Sequence, residues 1–191
     1  MNRIMKYEKK DIITLYESKK LLKFIFFWGH SEHSGNITKA CLSQWYPCEF
    51  IKDDVVYSTA EQYMMAQKAL LFQDTDTYDK IMEAEHPKKY QSLGRKVKNF
   101  SEAVWNQHKY NIVVEGNLCK FSQNEKLKSF LLGTNSRILV EASPYDAIWG
   151  IKMAADDKNI ENPLMWKGEN LLGFALMEVR DMLSHSDLII K

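Results

Sequence analysis

The segment 48–72 restricts the fold most, because it combines a β-hairpin pattern with a helix that starts directly behind it. Two short apolar runs, Glu49–Ile51 and Val55–Tyr57, flank a Lys-Asp-Asp turn, a pattern typical of a hairpin. Ser58 stands three residues before Glu61, the spacing of a capping box with Ser58 as N-cap and Glu61 at position N3. The sequence therefore predicts a hairpin followed by a helix that runs to residue 72.

The other elements are predicted from periodicity and composition. Leu21–Trp28 has the apolar, aromatic-rich character of a buried strand, and 138–142 is a second, shorter strand candidate. Helical periodicity marks 77–85, 101–120, 124–132 and 168–184, while residues 1–20 suit a helix or a loosely held arm. We expect a mainly helical α+β single domain with a few short strands. Its expected boundaries are 24–184, after an N-terminal extension (1–23) and before a C-terminal tail (185–191).

Composition and charge exclude several classes of protein. The chain has 191 residues, 45% of them hydrophobic and 27% charged, as expected for one globular domain with a core. A net charge of +1 opposes a generic polyanion binder, which usually carries a basic excess. The longest apolar run, Phe24–Trp28, is too short to cross a membrane, and the N-terminus lacks the apolar core of a signal peptide. We therefore expect a cytoplasmic protein with no membrane partner.

Motifs for metals and common cofactors are missing from the sequence. The three cysteines form no Cys-x-x-Cys pair and do not suit a disulfide framework. His30 and His33 flank Glu32, but no third and fourth ligand follow at a recognisable spacing. The chain also lacks a Walker loop, a Gly-x-Gly-x-x-Gly motif and a Gly-x-Ser-x-Gly motif. We expect neither a metal nor a cofactor.

One helix face combines a carboxylate with an amine. Glu61, Met64, Met65 and Lys68 are spaced i, i+3, i+4 and i+7, so they share one side of the helix. In the simpler interpretation, Glu61 only completes the capping box and Lys68 is a surface lysine. The Trp45-Tyr46 pair in the loop just upstream makes a functional interpretation equally plausible, because aromatic faces beside such groups suit a site for a flat ring.

Two further segments carry candidate site residues. In 143–150, Asp146 and Trp149-Gly150 follow a proline turn, and Glu141 ends the strand before it. The alternative for this segment is a structural turn with a core tryptophan. Arg95 is the most distinctive member of the basic run 94–98 and could bind phosphate through its guanidinium fork. The alternative for this run is a solvated charged face.

Nine sequence blocks, taken in order, resemble the NADAR family, also called YbiA-like. They are FFWGH (26–30), LSQWYPCEF (42–50), YSTAEQYMMAQKA (57–69), GRKVKNF (94–100), VW (104–105), GNLCKF (116–121), LLGT (131–134), LVEASPYDAIWGI (139–151) and WKGENLLGFALMEVR (166–180). The chain departs from the pattern at Gln44, where many members have Asn, and at Gln62, where many have His. The resemblance implies a mainly helical α+β domain.

The resemblance also implies hydrolysis of an N-glycosidic bond. The expected substrate is a small phosphoribosylated pyrimidinone of riboflavin biosynthesis. The alternatives are an ADP-ribosylated guanine in nucleic acid, which the low net charge does not favour, and an ADP-ribose or NAD-like ligand that is bound without hydrolysis. For such a reaction we hypothesise that Glu61 stabilises the developing positive charge on the ribose or activates water, and that Asp146 holds the ribose or protonates the leaving nitrogen. Lys68 and Arg95 are the candidates for phosphate binding, and the alternative for Lys68 is a Schiff base with an opened sugar. Further implied contacts are a base sandwich by Trp105 and Trp149, a lid of Trp45 and Tyr46, and a substrate contact by Glu141.

Overall fold

The computed structural model describes residues 5–30 and 36–189, with side chains as far as residue 185. Seven α-helices and four short strands lie within these residues, so the predicted mainly helical α+β fold is confirmed. The helices are α1 (Lys9–Glu17), α2 (Ala60–Leu71), α3 (Thr75–Glu83), α4 (Pro87–Gly94), α5 (Glu102–Ser122), α6 (Glu125–Gly133) and α7 (Leu171–Ile189). The strands are β1 (Phe24–Phe27), β2 (Phe50–Lys52), β3 (Val55–Tyr57) and β4 (Ile138–Glu141), and two short 3₁₀ helices occupy Lys39–Leu42 and Pro163–Met165.

The chain divides into two compact units. The first comprises residues 44–125 and holds the antiparallel hairpin β2–β3 together with α2, α3, α4 and α5. The second is built from 5–30, 36–43 and 126–189 and holds α1, β1, β4, α7 and all but the first residue of α6.

In the first unit, the predicted hairpin and the helix behind it are both present, with β2 one residue later than predicted and α2 ending at Leu71. Asp53 and Asp54 both adopt left-handed backbone angles, φ 51° and 62°, which is the geometry that a tight two-residue hairpin turn requires. Helix α2 packs against α3, α4 and α5 and is largely buried. Gly116 on α5 allows the close approach of Tyr63, because a Cβ at this position would lie 2.5 Å from the Tyr63 ring.

The start of α2 corrects the prediction that Ser58 is the N-cap. Thr59 is extended, at φ −153° and ψ 159°, and its hydroxyl accepts a hydrogen bond from the Gln62 N–H at 3.0 Å. The Ser58 N–H in turn donates to Gln62 Oε1 at 2.8 Å, so Gln62 performs the reciprocal role predicted for Glu61. The prediction of a capping box between Ser58 and Glu61 is therefore wrong: Thr59 is the N-cap, and the Gln62 side chain accepts from the Ser58 N–H.

Two helices differ from their predicted positions, and one was not predicted. Helix α3 starts at Thr75 because Asp74 caps it, two residues before the predicted start at 77. Helix α4 was missed because it has only eight residues, although His86 caps it and Pro87 occupies the first helical position. Helix α7 begins at Leu171 rather than at 168, because Asn170 has a left-handed φ of 58° and ends the preceding loop.

In the second unit, two strands distant in the sequence form a parallel pair. Strand β1 pairs with β4 in a register that places Phe27 opposite Glu141. Strand β1 is shorter than the predicted strand 21–28, because it begins at Phe24 and ends at Phe27. Helix α7 packs against β4, and α1 is held by a hydrogen bond from Lys9 Nζ to the Trp166 carbonyl at 2.7 Å.

Candidate active site

Glu61 is a buried carboxylate in the first turn of α2. Only 3% of the surface of Glu61 is exposed to solvent. Acidic residues rarely lie so deep without a specific reason. The backbone N–H of Glu61 donates to the Gln44 carbonyl at 2.9 Å, which satisfies one of the free amides at the start of the helix. Glu61 is thus held both by its place in α2 and by its hydrogen bond to the loop that contains Gln44.

A pair of buried amides extends from this loop to α5. Asn117 is fully buried, and its Nδ2 donates to Gln44 Oε1 and to the Val113 carbonyl, both at 2.8 Å. Lys120, one turn further along α5, is also fully buried, and its Nζ lies 5.5 Å from the centre of the Tyr46 ring. The sequence analysis noted Gln44 only as a departure from the family pattern and missed Asn117. Its i, i+3 spacing from Lys120 is the signal that could have placed both residues on one helix face.

Trp45 and Tyr46, the predicted lid, are half-buried in the loop between the first 3₁₀ helix and β2. The Tyr46 ring faces the Lys120 ammonium, so this side chain packs on the interior of the unit. Both residues are close in sequence to Gln44 and share its unit with Glu61.

Lys68, two turns after Glu61, lies in an aromatic and cationic cluster. Its Nζ is 4.2 Å from the centre of the Phe100 ring and 5.4 Å from that of Trp105. Burial lowers the pKa of the Lys68 ammonium, and the positive charge of Arg95 lowers it further. Three predicted site residues, Lys68, Arg95 and Trp105, are thus brought together, and Phe100 is an addition that the sequence analysis missed. Its place at the end of the GRKVKNF block was the available signal.

The backbone of α4 determines where Arg95 lies. Gly94 ends this helix against α2, and a Cβ at Gly94 would lie 2.0 Å from the Met65 sulfur. Arg95 follows at once and is exposed. Among the described residues, neither Arg95 nor Lys68 forms an ion pair with a carboxylate. A half-buried ammonium against two aromatic rings, with an exposed guanidinium close enough to affect its pKa, suits an anionic ligand that carries a flat ring.

The other three predicted site residues belong to the second unit. Glu141 is the last residue of β4, and its N–H donates to Asn170 Oδ1 at 2.9 Å. Asp146 Oδ1 accepts hydrogen bonds from the N–H groups of Ile148 and Trp149, both at 2.8 Å. One carboxylate oxygen of Asp146 therefore shapes the turn that carries Trp149, whereas Trp149 itself is half-buried and not a core residue.

This loop is closely packed at two glycines. A Cβ at Gly168 would lie 2.3 Å from the Gly150 carbonyl oxygen, and one at Gly150 would lie 2.8 Å from the Glu141 carbonyl oxygen. Trp28 and Tyr145 form an exposed aromatic pair in the same unit, with ring centres 6.2 Å apart. Trp149 lies in this unit and Trp105 in the first, so the two rings of the predicted sandwich come from different units.

The described ranges contain neither a metal-binding cluster nor a membrane-spanning helix. No group of three or more His, Cys, Asp or Glu side chains there has the arrangement of a metal site, and Glu32 and His33 lie outside those ranges. None of the described helices combines the length and hydrophobicity that a membrane crossing requires.

Comparison with known proteins places the chain in a family. The model of the NADAR domain matches residues 26–184. An N-glycosidase of Acanthamoeba polyphaga mimivirus is 43% identical over 164 residues, which cover 83% of this chain and 95% of that protein. The chloroplastic riboflavin biosynthesis protein PYRR of Zea mays is 31% identical over 135 residues, which cover 67% of this chain and 20% of that protein.

A solved structure gives the same result for the fold. The NMR structure of the E. coli protein YbiA superimposes with a TM-score of 0.71 at 26% identity, and the match covers 87% of this chain and 88% of that one. The family model and the mimivirus relative each span more than four fifths of the chain, and the protein therefore belongs to the NADAR domain family.

Proposed function

We propose that this protein hydrolyses the ribosyl–nitrogen bond of phosphoribosylated pyrimidinone intermediates of riboflavin biosynthesis. N-glycosidase activity in general is supported by the name of the mimivirus relative. The finer assignment draws support from the maize relative, which is named for riboflavin biosynthesis. The observation that carries the proposal is the cluster of Lys68 and Arg95 with Phe100 and Trp105. It offers positive charge for a phosphate and aromatic faces for a heterocycle.

In this mechanism Glu61 acts at the anomeric carbon. Cleavage of a ribosyl–nitrogen bond passes through a species with developing positive charge on the ribose, which a nearby carboxylate stabilises. The same carboxylate can accept a proton from the attacking water. Glu61 suits either task, because it is a buried carboxylate in the first turn of α2, held in place by the hydrogen bond from its N–H to the Gln44 carbonyl.

Asp146 and Lys68 have supporting roles in the proposal. Asp146 Oδ1 already accepts two backbone hydrogen bonds, which favours binding of a ribose hydroxyl by Oδ2 over donation of a proton to the leaving nitrogen. Lys68 binds the phosphate together with Arg95. Its alternative role is attack on an opened sugar to form a Schiff base, which a lowered lysine pKa also favours. Trapping with borohydride distinguishes the two roles, since only a Schiff base is reduced to a stable adduct.

A hydrolysis assay with detection by mass spectrometry tests the proposal. The purified protein is incubated either with the phosphoribosylamino-pyrimidinone or with an oligonucleotide that carries ADP-ribosylated guanine. The controls are Glu61→Gln and Glu102→Gln, the latter an exposed carboxylate in the first turn of α5. We expect free pyrimidine from the first substrate, a loss of about 10²–10⁴-fold in Glu61→Gln, and full activity in Glu102→Gln.

Other results would support the alternatives. Release of ADP-ribose from the oligonucleotide alone would indicate an ADP-ribosyl-guanine glycohydrolase. A protein that binds ADP-ribose, is stabilised by it against heat and returns both substrates intact would be a binding module. Either outcome would overturn the riboflavin-intermediate proposal.

A further inference from the structure

We infer that Asn117 and Gln44 form a positioning pair for Glu61. The inference rests on the proposed catalytic role of Glu61 and goes beyond it, because it assigns a function to two residues outside the predicted site. Their contacts form one continuous path, from Asn117 Nδ2 to Gln44 Oε1 at 2.8 Å and from the Glu61 N–H to the Gln44 carbonyl at 2.9 Å. The side-chain amide of Asn117 thereby fixes the position of Gln44, and Gln44 fixes the first turn of α2.

The surroundings of Asn117 fix its orientation. Nδ2 lies between two acceptors, Gln44 Oε1 and the Val113 carbonyl, so a flipped amide would place oxygen against oxygen. Gln44 is only 7% exposed and Asn117 is fully buried, so water does not compete for these bonds. A side chain held in this way transmits its position to its partner.

Asn117 is an unfavourable choice if stability is its only purpose. Its Oδ1 is buried and accepts no hydrogen bond from any described residue. Buried polar atoms in native proteins nearly always have a partner, and exceptions concentrate where a group serves a function. A residue needed only to fill this space could be apolar, so the amide is explained by its hold on Gln44.

The contact depends on the lengths of the two side chains. Gln44 reaches Asn117 of α5 with a side chain one methylene longer than that of asparagine. Shortening it by Gln44→Asn should separate the two amides and release the loop. Moving the methylene to the other partner, in the double variant Gln44→Asn/Asn117→Gln, should restore much of the contact.

The experiment compares kcat and KM in Asn117→Ala, Gln44→Asn and the double variant, with Gln123→Ala as the matched control. Gln123 also joins α5 to a strand by two hydrogen bonds, to the N–H and the carbonyl of Ile51, but has no link to Glu61. We expect kcat to fall about 10- to 100-fold in both single variants while KM changes less than about threefold, with substantial recovery in the double variant. Gln123→Ala should retain the kcat of the wild type.

A second measurement does not depend on activity. Amide hydrogen exchange at Glu61 should become faster in Asn117→Ala and in Gln44→Asn, but not in Gln123→Ala, because only the first two loosen the Gln44 carbonyl. Unchanged exchange at Glu61 in both single variants, or equal kcat in Asn117→Ala and Gln123→Ala, would overturn the inference. If Glu61→Gln is fully active, the catalytic assignment fails instead, and the exchange data still decide whether the pair positions Glu61.

Discussion

Substitution of Lys68 by Met tests the phosphate site most directly. A hydrogen bond that involves a charged group contributes about 1.5–3 kcal/mol, and about 1.4 kcal/mol corresponds to a factor of ten. Lys68 is half-buried against Phe100 and Trp105, so its contribution should reach this range, and KM for the phosphorylated substrate should rise about 10- to 100-fold. Arg95 is exposed, and Arg95→Gln should raise KM only about fivefold or less, as for ion pairs in water.

The assay compares the phosphorylated substrate with the same ribosyl compound after its phosphate has been removed. Lys68→Met should change KM only for the phosphorylated form. Lys98→Gln is the matched control, since Lys98 belongs to the same basic run but is exposed and paired with Asp76 at 2.9 Å. Equal KM increases for both compounds, or an unchanged KM in Lys68→Met, would refute the assignment of a phosphate site.

Two further predictions concern the first unit. Thr59→Ala should lower the free energy of unfolding by about 1 kcal/mol in urea titrations because α2 loses its N-cap, while Thr59→Ser should retain most of it; equal losses would contradict the cap. The pKa of Asp74 is lowered by hydrogen bonds from the Lys98 N–H and from Thr77, so its stabilising contribution is complete above the ordinary carboxyl pKa and is lost as pH falls through the lowered value. The Tm deficit of Asp74→Asn should therefore be present at pH 7 and shrink in strong acid, and a deficit that is independent of pH would contradict this.

Signals between residues close in the sequence were sufficient to predict most of the helices and the hairpin. The two aspartates at the hairpin turn, the periodicity of α5 and the caps of the helices are signals that act over a few residues. The position of the N-cap was not decidable in this way, because Ser58 and Thr59 are both good caps. Which of the two residues is the N-cap depends on the hydrogen bonds that Gln62 forms, since its N–H donates to the Thr59 hydroxyl and its side chain accepts from the Ser58 N–H. These bonds form only in the folded turn. The pairing of β1 with β4 was equally out of reach, since more than a hundred residues separate the strands.

The sequence could predict which residue types form the candidate site but not how deeply their side chains are buried. Glu61 and Lys68 were correctly placed on one helix, yet the sequence does not say that the first is buried and the second only half-buried. Lys120 shows the difficulty most clearly, because a lysine side chain is almost always at least partly solvated, whereas this one is fully buried. Periodicity gives the face of a helix, but burial depends on what packs against that face.

The charged residues of the first unit differ in how deeply they are buried, and this difference fits different roles. Burial of Glu61 and Lys120 is costly, and buried charges are weak contributors to stability compared with apolar residues of the same size. A group that must act on a substrate in a dry environment benefits from such burial, whereas a group that must capture an ion from water needs partial exposure. Lys68 and Arg95 meet the second requirement and Glu61 meets the first. The gradient from exposed Arg95 through half-buried Lys68 to buried Glu61 is therefore what a site needs to bind a phosphate near solvent and cleave a bond at depth.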